Sequence, residues 1–466
     1  MTIDEGLIPV IPSQNPATSA PPDHEAALEI TAAVKARLSV VVRAEEVAIG
    51  RSISTERSDE LAEALLEEEL EAFARAELSA GRKLRGADAE AALAKTARDH
   101  LFGLGRLQAY LERDDVENIS LVGCDRVFLQ LTDNRRGRGE HPVAASDKAL
   151  IELIRTEAGR CGEKEQQERR FDHGSPILNL KLRDGSRLNA TMATCKRPIV
   201  NIRRHRHPKA SIPDIISLGV MGEDLAAFLA AAVRARLNLL IAGGPGTGKT
   251  TLLRALAGEI GPEEKLITVE DVFELNLDLD AERHPHVYAY QERMANLEGE
   301  GAITVAELVR NTLRQSPDRV IVGEVRGPEV NEMIAAMTLG ADGSMGTMHA
   351  RDSRDVDRRL ARYAAMGPDG VGRAEAMAGI ASAVDLIVYL GYSRPGRKRV
   401  VSSVREVMDA QEEQLVTNEV YEPGPDRRAK PTGMLSERRA EALTDAGLDP
   451  RILQVPETAS GLGWSR

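Results

Sequence analysis

The stretch GGPGTGKTT, residues 243–251, carries the residue types that grip phosphate. Gly243, Gly248, Lys249 and Thr250 satisfy the pattern G-x-x-x-x-G-K-[ST], with Gly244, Pro245, Gly246 and Thr247 between and Thr251 after. The glycines let the backbone curl so that successive N–H groups face one anion. Composition alone would produce this pattern in roughly a few chains per hundred of this length. Its setting is more specific: it follows the apolar run LNLLIAG and opens the helical pattern TTLLRALAGEI, so a helix N-terminus adds its positive partial charge. Lys249 is expected to reach β- and γ-phosphates, and Thr250 to hold Mg²⁺. An ordinary glycine-rich turn does not explain the Lys-Thr pair.

Hydrolysis needs an oriented water as well as a grip. RVIVGEVRG, residues 319–327, is the candidate second element. Its apolar positions lead to Glu324, a carboxylate at the end of a strand, where open α/β sheets place their sites. Glu324 is expected to orient or deprotonate the attacking water. Gly323 stands where an Asp is usual, so Mg²⁺ cannot be held from that position. TVEDVFEL supplies Glu270, Asp271 and Glu274 just after the strand KLITVE. Each acid alone reads as surface charge or a helix cap, but the cluster ends a core strand. GSMGTMHA places His349 at the end of another short apolar stretch, where spacing does not separate a structural from a phosphate-sensing role.

The elements that must position these residues follow from pattern. LNLLIAGG, KLITVE, RVIVGE and DLIVYL alternate with helical stretches, which argues for a mostly parallel sheet with helices on its faces. Upstream, NISLVG and RVFLQL read as strands, and DGSR as a turn between ILNLKL and LNATM. DELAEALLEEELEAFARAEL, with Leu61, Leu65, Phe73 and Leu78, reads as an amphipathic helix, and Glu67 to Glu69 as its solvated face. The expected divisions are a disordered segment 1–24, a helical extension 25–102, a small α/β domain 103–205, a linker 206–220, an ATPase domain 221–409 and a tail 410–466 with one small helix.

Composition narrows the classes. Hydrophobic residues are 42% of 466, enough for real cores, whereas aromatics are 3% and the net charge is −12. A chain with few aromatics and an acidic balance is not built to coat nucleic acid or an anionic membrane. Cys124, Cys161 and Cys195 have no C-x-x-C spacing and read as reduced thiols. The N-terminus lacks a signal-peptide pattern, and the most apolar stretch, AEAMAGIASAVDLIVYLGY, carries Glu375 and Asp385, so the expectation is a cytoplasmic protein without a membrane span. His205-x-His207 lacks further metal ligands.

In order, the phosphate loop, VEDVFEL, LRQSPDRVIVGEVRG and GADGSMGTMHA resemble the Walker A, Asp box, Walker B and His box of the type II/IV secretion ATPases. The nearest likeness is to the CpaF-like branch, which powers tight-adherence (Tad) pilus assembly. The resemblance runs from about residue 100 to 450 and includes LGRLQAYLERDDVENISLVGCDRVFL, DGSRLNA, IVNIRRH and PTGMLSERRAEALTDAGLD. It implies an α/β fold: a RecA-like P-loop ATPase domain preceded by a small α/β, PAS-like N-terminal domain and a helical N-terminal extension. It also implies a homo-hexamer that uses ATP and Mg²⁺ and works at the inner face of the membrane on an integral platform protein, with no direct nucleic acid. Carried over, Lys249 and Thr250 hold phosphate and Mg²⁺, Glu324 is the catalytic glutamate, and Glu270 and Asp271 are the Asp-box acids that help with the metal. His349 is the His-box residue. Arg187, Arg203 or Arg204, and Arg293 match arginines that reach ATP from elsewhere in the ring.

The departures are Glu300 where relatives usually carry Arg, Asn179 where they carry Asp, and HARDSRD for the commoner HANSPRD. The four-cysteine zinc module usual in the type II secretion branch is absent. Three alternatives stay open: an energiser of conjugation or type IV secretion, a RecA-like nucleic-acid motor using RRHRHPK, and a nucleotide-binding scaffold that no longer hydrolyses. Intact Lys249, Thr250 and Glu324 speak against the last.

Overall fold

The computed structural model describes residues 9–11, 23–83, 85–132, 135–165, 170–204, 210–293, 300–367 and 370–453. The chain forms two units, Met1–Arg206 and His207–Arg466. The His205-x-His207 pair, most of RRHRHPK and most of the segment expected to be disordered lie outside the described residues.

In the first unit, α1 (His24–Ile49), α2 (Thr55–Ser79) and α3 (Ala87–Phe102) share a core that includes Ala27, Ile30, Val34, Leu65, Leu66, Leu93 and Leu101. Asp23 and Ser54 cap the first two helices by accepting from the N–H groups of Ala26 and Arg57. Burial on α2 centres on Leu65 and Leu66, while Leu78, expected on the apolar face, is 51% exposed. Glu68 and Glu69 of the acidic run pair with Arg37 of α1, so this face holds the bundle together as well as facing solvent.

The same unit also contains α4 (Gln108–Leu111) and a seven-stranded sheet. Its strands are β1 (Val10–Ile11), β2 (Val116–Val122), β3 (Arg126–Leu131), β4 (Arg136–Gly139), β5 (Ile177–Lys181), β6 (Arg187–Thr191) and β7 (Ile199–Arg203), in the order β1-β4-β3-β2-β7-β6-β5. All pairings except β1 with β4 are antiparallel. Helix α5 (Asp147–Glu165) places Leu150, Ile154 and Ala158 in one core with Ile119, Leu121, Leu188 and Ile202. Because side chains alternate along a strand, the residues between these point to the other face. Arg187 and Arg203 are direct cross-strand neighbours there, as are Asn179 and Asn189.

The second unit carries the alternating strands and helices. Its strands are β8 (Leu239–Gly243), β9 (Leu266–Glu270), β10 (Val287–Gln291), β11 (Arg319–Val325), β12 (Met345–His349), β13 (Leu386–Tyr392), β14 (Arg399–Gln411), β15 (Gln414–Pro423) and β16 (Ala429–Pro431). They form one nine-stranded sheet ordered β10-β9-β11-β12-β8-β13-β14-β15-β16. The pairings from β10 to β13 are parallel and those from β13 to β16 antiparallel. On one face lie α6 (Ile212–Ser217), α7 (Glu223–Arg234), α8 (Lys249–Ala257) and, through Leu443, α13 (Glu437–Asp445); on the other lie α9 (Val305–Thr312), α10 (Glu329–Thr338), α11 (Asp355–Ala364) and α12 (Arg373–Ala383). Both faces are covered, so β8 is apolar throughout: Leu239 and Ile241 enter one core, Leu240 and Ala242 the other.

Two segments differ from their sequence patterns. Residues 210–217, expected as linker, contain α6, closed by a capping box between Ser211 and Asp214. Residues from 410, expected as a tail, continue the sheet through β15 and β16; their polar composition reflects an antiparallel edge with one solvated face. The apolar stretch at 374–392 divides into α12 and β13, and among the described residues no helix is long and apolar enough to cross a membrane.

Helix α13 is fastened by a buried charge. Glu406 of β14 is fully buried and accepts from Asn418 Nδ2 at 2.9 Å, Ser436 N at 3.0 Å, Ser436 Oγ, and Arg439 Nη1 at 2.8 Å. Arg439 also reaches Asp385 at 2.8 Å. Burial pushes the Glu406 carboxyl upward, but the bonds from Ser436, Arg439 and Asn418 outweigh it and hold the pKa below the ordinary value. A depressed carboxylate stabilises fully above its unfolded pKa, and that contribution is lost as pH falls through the folded value. Glu406→Ala removes one of the two carboxylates that hold Arg439 and takes the acceptor from Ser436 and Asn418, and should destabilise the second unit by about 1–3 kcal/mol. Calorimetric unfolding at neutral pH checks this, and the difference from wild type should shrink as pH is lowered below the unfolded carboxylate pKa of 4.5.

Candidate functional site

The phosphate loop joins β8 to α8, and its geometry follows from its glycines. Gly246 and Gly248 have φ of +69° and +93°, conformations that side chains with a Cβ rarely adopt. At Gly243 a Cβ would lie 2.6 Å from the carbonyl oxygen of Leu390 in the neighbouring strand. Thr247 donates to Gly244 O at 2.9 Å, which closes the turn from within. From outside, Arg399 Nε and the Tyr392 hydroxyl both donate to Gly246 O, at 2.7 and 3.3 Å. The guanidinium of Arg397 lies over the Tyr392 ring, 5.4 Å from its centroid.

Lys249 is the first residue of α8 and is buried, at 7% exposure. Its ammonium lies 3.1 Å from Gly244 O and 3.1 Å from His349 Nδ1. An ammonium has only donors, so Nδ1 accepts and the proton of the neutral ring is on Nε2. Nε2 is 2.7 Å from Glu324 Oε1. That oxygen is buried and faces the imidazole. Lysine, histidine and glutamate from three separate motifs thus form one line, built on the adjacent strands β8, β12 and β11 and their carboxyl-end extensions.

Burial raises the pKa of Glu324, and His349, Arg326 and Lys249 more than reverse it, so the carboxyl is held below its ordinary value. It is therefore ionised at neutral pH, with one oxygen buried against the His349 imidazole. An ionised carboxylate is what orienting a water requires.

Glu270 explains why Gly323 replaces the usual acid. A Cβ at Gly323 would stand 2.8 Å from Glu270 Cγ. The side chain of one strand end fills the space left by the other. Glu270 is buried, and its Oε1 accepts from the backbone N–H groups of Glu274 and Leu275, both at 3.0 Å. Asp271 pairs with Arg326 at 2.7 Å. Arg326 escaped the sequence analysis although it stands two residues after Glu324, and a period of two places it on the same side. Arg399 and Tyr392 gave no local signal, since strand pairing across roughly 150 residues brings them to the loop.

Thr250 lies in the first turn of α8 beside Lys249, and the acids after β9 are oxygen donors. Such a set suits Mg²⁺, which takes hard oxygen ligands, keeps several waters and is shared with substrate phosphates. Among the described residues no group of three or more His, Cys, Asp or Glu forms a metal cluster. The arginines divide. Arg203 is exposed on the open face of the first unit's sheet, next to Arg187. Arg204 donates to the carbonyls of Arg113 and Val116, and Arg293 to Gly301 O at 2.6 Å.

The model of the family described as type II/IV secretion system protein matches residues 142–412, more than half of the chain. The chain belongs to this family. A Mycobacterium tuberculosis protein named for conjugal transfer is 32% identical over 318 residues, covering 66% of this chain and 85% of its own. Conjugal transfer protein TrbB of Rhizobium radiobacter is 28% identical over 303 residues, 64% of this chain and 84% of its own. Type IV secretion system protein PtlH of Bordetella pertussis is 40% identical over 136 residues, 28% and 38%. Among solved structures, the VirB11 ATPase of Brucella suis aligns with 68% of this chain and 96% of its own at 24% identity and a TM-score of 0.35. The pilus retraction motor PilT with bound ADP aligns with 75% and 97% at 16% identity and a TM-score of 0.45.

Gly243→Ala forces its new methyl against a strand carbonyl that cannot yield. The expected cost is about 1–3 kcal/mol, read as a lower unfolding midpoint, with nucleotide binding weakened because the loop shifts with its strand.

Proposed function

We propose that this chain hydrolyses ATP and that its family membership reflects work done as a motor at a secretion or pilus apparatus. The observation that carries the proposal is the line Lys249–His349–Glu324 at the mouth of a phosphate loop. The loop's N–H groups and Lys249 take the phosphates. Thr250 would hold Mg²⁺ and Glu270 and Asp271 would act on it through water, since Oε1 of Glu270 already accepts two backbone bonds and Asp271 is paired with Arg326. When bound, the ion would supply positive charge to offset that on the phosphate oxygens. Glu324 accepts a proton from the attacking water through its carboxylate, and His349, set between Glu324 and Lys249, is polarised by both. Arg326 steadies the two acids on either side of it.

Transition-state charge calls for an arginine beyond this set. Arg187 and Arg203, side by side on a sheet face, are the proposed donors, acting across a subunit boundary in a homo-hexamer. Arg204 and Arg293 hold backbone carbonyls and are given supporting roles. Each cycle in the RecA-like unit would pass a conformational change to an integral membrane platform protein from the cytoplasmic side.

For the load, the CpaF-like motifs favour assembly of a tight-adherence pilus. A second reading, an energiser of conjugal transfer or type IV secretion, is favoured by the names of the relatives. Nucleic acid is not the proposed load, given the net charge of −12.

Lys249→Ala should abolish MgATP binding in equilibrium titration, as removal of the buried ammonium at the loop would require. In the native host, the chain trapped with a slowly hydrolysed ATP analogue and cross-linked should co-purify with a polytopic membrane protein and pilin-assembly proteins. Recovery of DNA or of conjugation coupling proteins would replace the pilus load with the transfer load.

A further inference from the structure

Arg254 is buried at 5% exposure on α8, the helix that starts at Lys249. A guanidinium is rarely buried unless its donors are satisfied. Here Nε donates to Leu275 O at 2.9 Å and Nη2 to Glu274 O. The fork therefore grips two successive peptides from their carbonyl side. The N–H groups of the same two residues donate to Glu270 Oε1, both at 3.0 Å. A positive charge and a negative charge are thus joined through one short backbone segment, and each bond polarises the next. Glu270 in turn rests on Gly323, whose neighbour is Glu324.

Packing behind this segment is incomplete. A cavity of about 60 Å³ is lined by Arg254, Leu275, Asn276, Leu277 and His284 among others. Asn276 adopts a left-handed conformation, with φ of +50°. Leu275 and Leu277 are buried in the core, and the hydrogen bonds add to that packing in fixing where the segment lies.

We propose that Arg254 is a positioning residue that ties the phosphate-loop helix to Glu270 through the peptides of Glu274 and Leu275. Displacement of α8 when phosphate enters the loop is then carried to the acid beside Glu324, so binding and the placement of the hydrolytic carboxylate move together. The proposal rests on the ATPase reading for its purpose and on geometry alone for the linkage.

The test uses the full chain and two readouts. Amide hydrogen exchange reads the linkage without any turnover. Arg254→Met, which keeps the length of the side chain and removes the fork, should speed exchange at Glu274 and Leu275 by at least about tenfold while β8 and α7 keep their protection. Steady-state hydrolysis reads the consequence: kcat falls by about 10–100-fold with KM within about threefold. In a double-mutant cycle, Arg254→Met with Glu270→Gln should be no slower than the slower single variant. Arg254→Lys, which keeps the charge but not the fork, should move both readouts in the same direction by less, and it serves if the methionine variant does not fold. Unchanged exchange at 274 and 275, additive losses in the cycle, or wild-type values in Arg254→Lys would overturn the proposal. A wild-type chain that hydrolyses no ATP would instead remove the ATPase reading, and exchange at 274 and 275 would still decide the linkage.

Discussion

Glu324 carries a negative charge at the end of a strand whose preceding five residues are buried, and the site depends on keeping it charged there. Burial alone would neutralise the carboxyl. His349, Arg326 and Lys249 reverse that tendency, and each comes from a different place: a neighbouring strand end, the residue after β11, and the start of α8. Parallel strands end side by side, so their carboxyl ends are where charges from distant stretches of chain can meet. Glu270, at the end of β9, joins them only because position 323 has no side chain.

The same logic accounts for the surrounding order. A charge held by partners is placed only as well as the partners are. The phosphate loop is therefore braced twice at Gly246 O, by Arg399 and Tyr392 from the strands beside it. The antiparallel addition β14–β16 supplies Arg399, and its own buried Glu406 fastens α13 across the sheet. Hydrolytic chemistry and domain stability share the same kind of interaction, a buried carboxylate surrounded by donors.

Much of this was legible in the sequence because local rules governed it. The strand-loop-helix at 239–257 was readable from its glycines and the apolar runs that flank them, and the strands ending in Glu270 and Glu324 from unbroken apolar stretches that only a sheet covered on both faces explains. What escaped was set by pairing between distant segments. The contact of His349 with both Lys249 and Glu324 depends on β12 lying between β8 and β11, an order no spacing encodes. Strands β15 and β16 read as a tail because their polar residues lie along a solvated face. The part of Arg254 was invisible because its partners are backbone carbonyls, which carry no residue identity.

The most direct test of the account is ATP turnover by purified Glu324→Gln beside wild type, with nucleotide affinity measured on the same samples. Wild type should hydrolyse ATP. The glutamine variant should bind it with Kd within about threefold of wild type and turn it over at least about 10²-fold more slowly, because the amide keeps the shape but cannot take the proton. Turnover at the wild-type rate in Glu324→Gln, or no hydrolysis by wild type under conditions where it binds MgATP, would contradict the account.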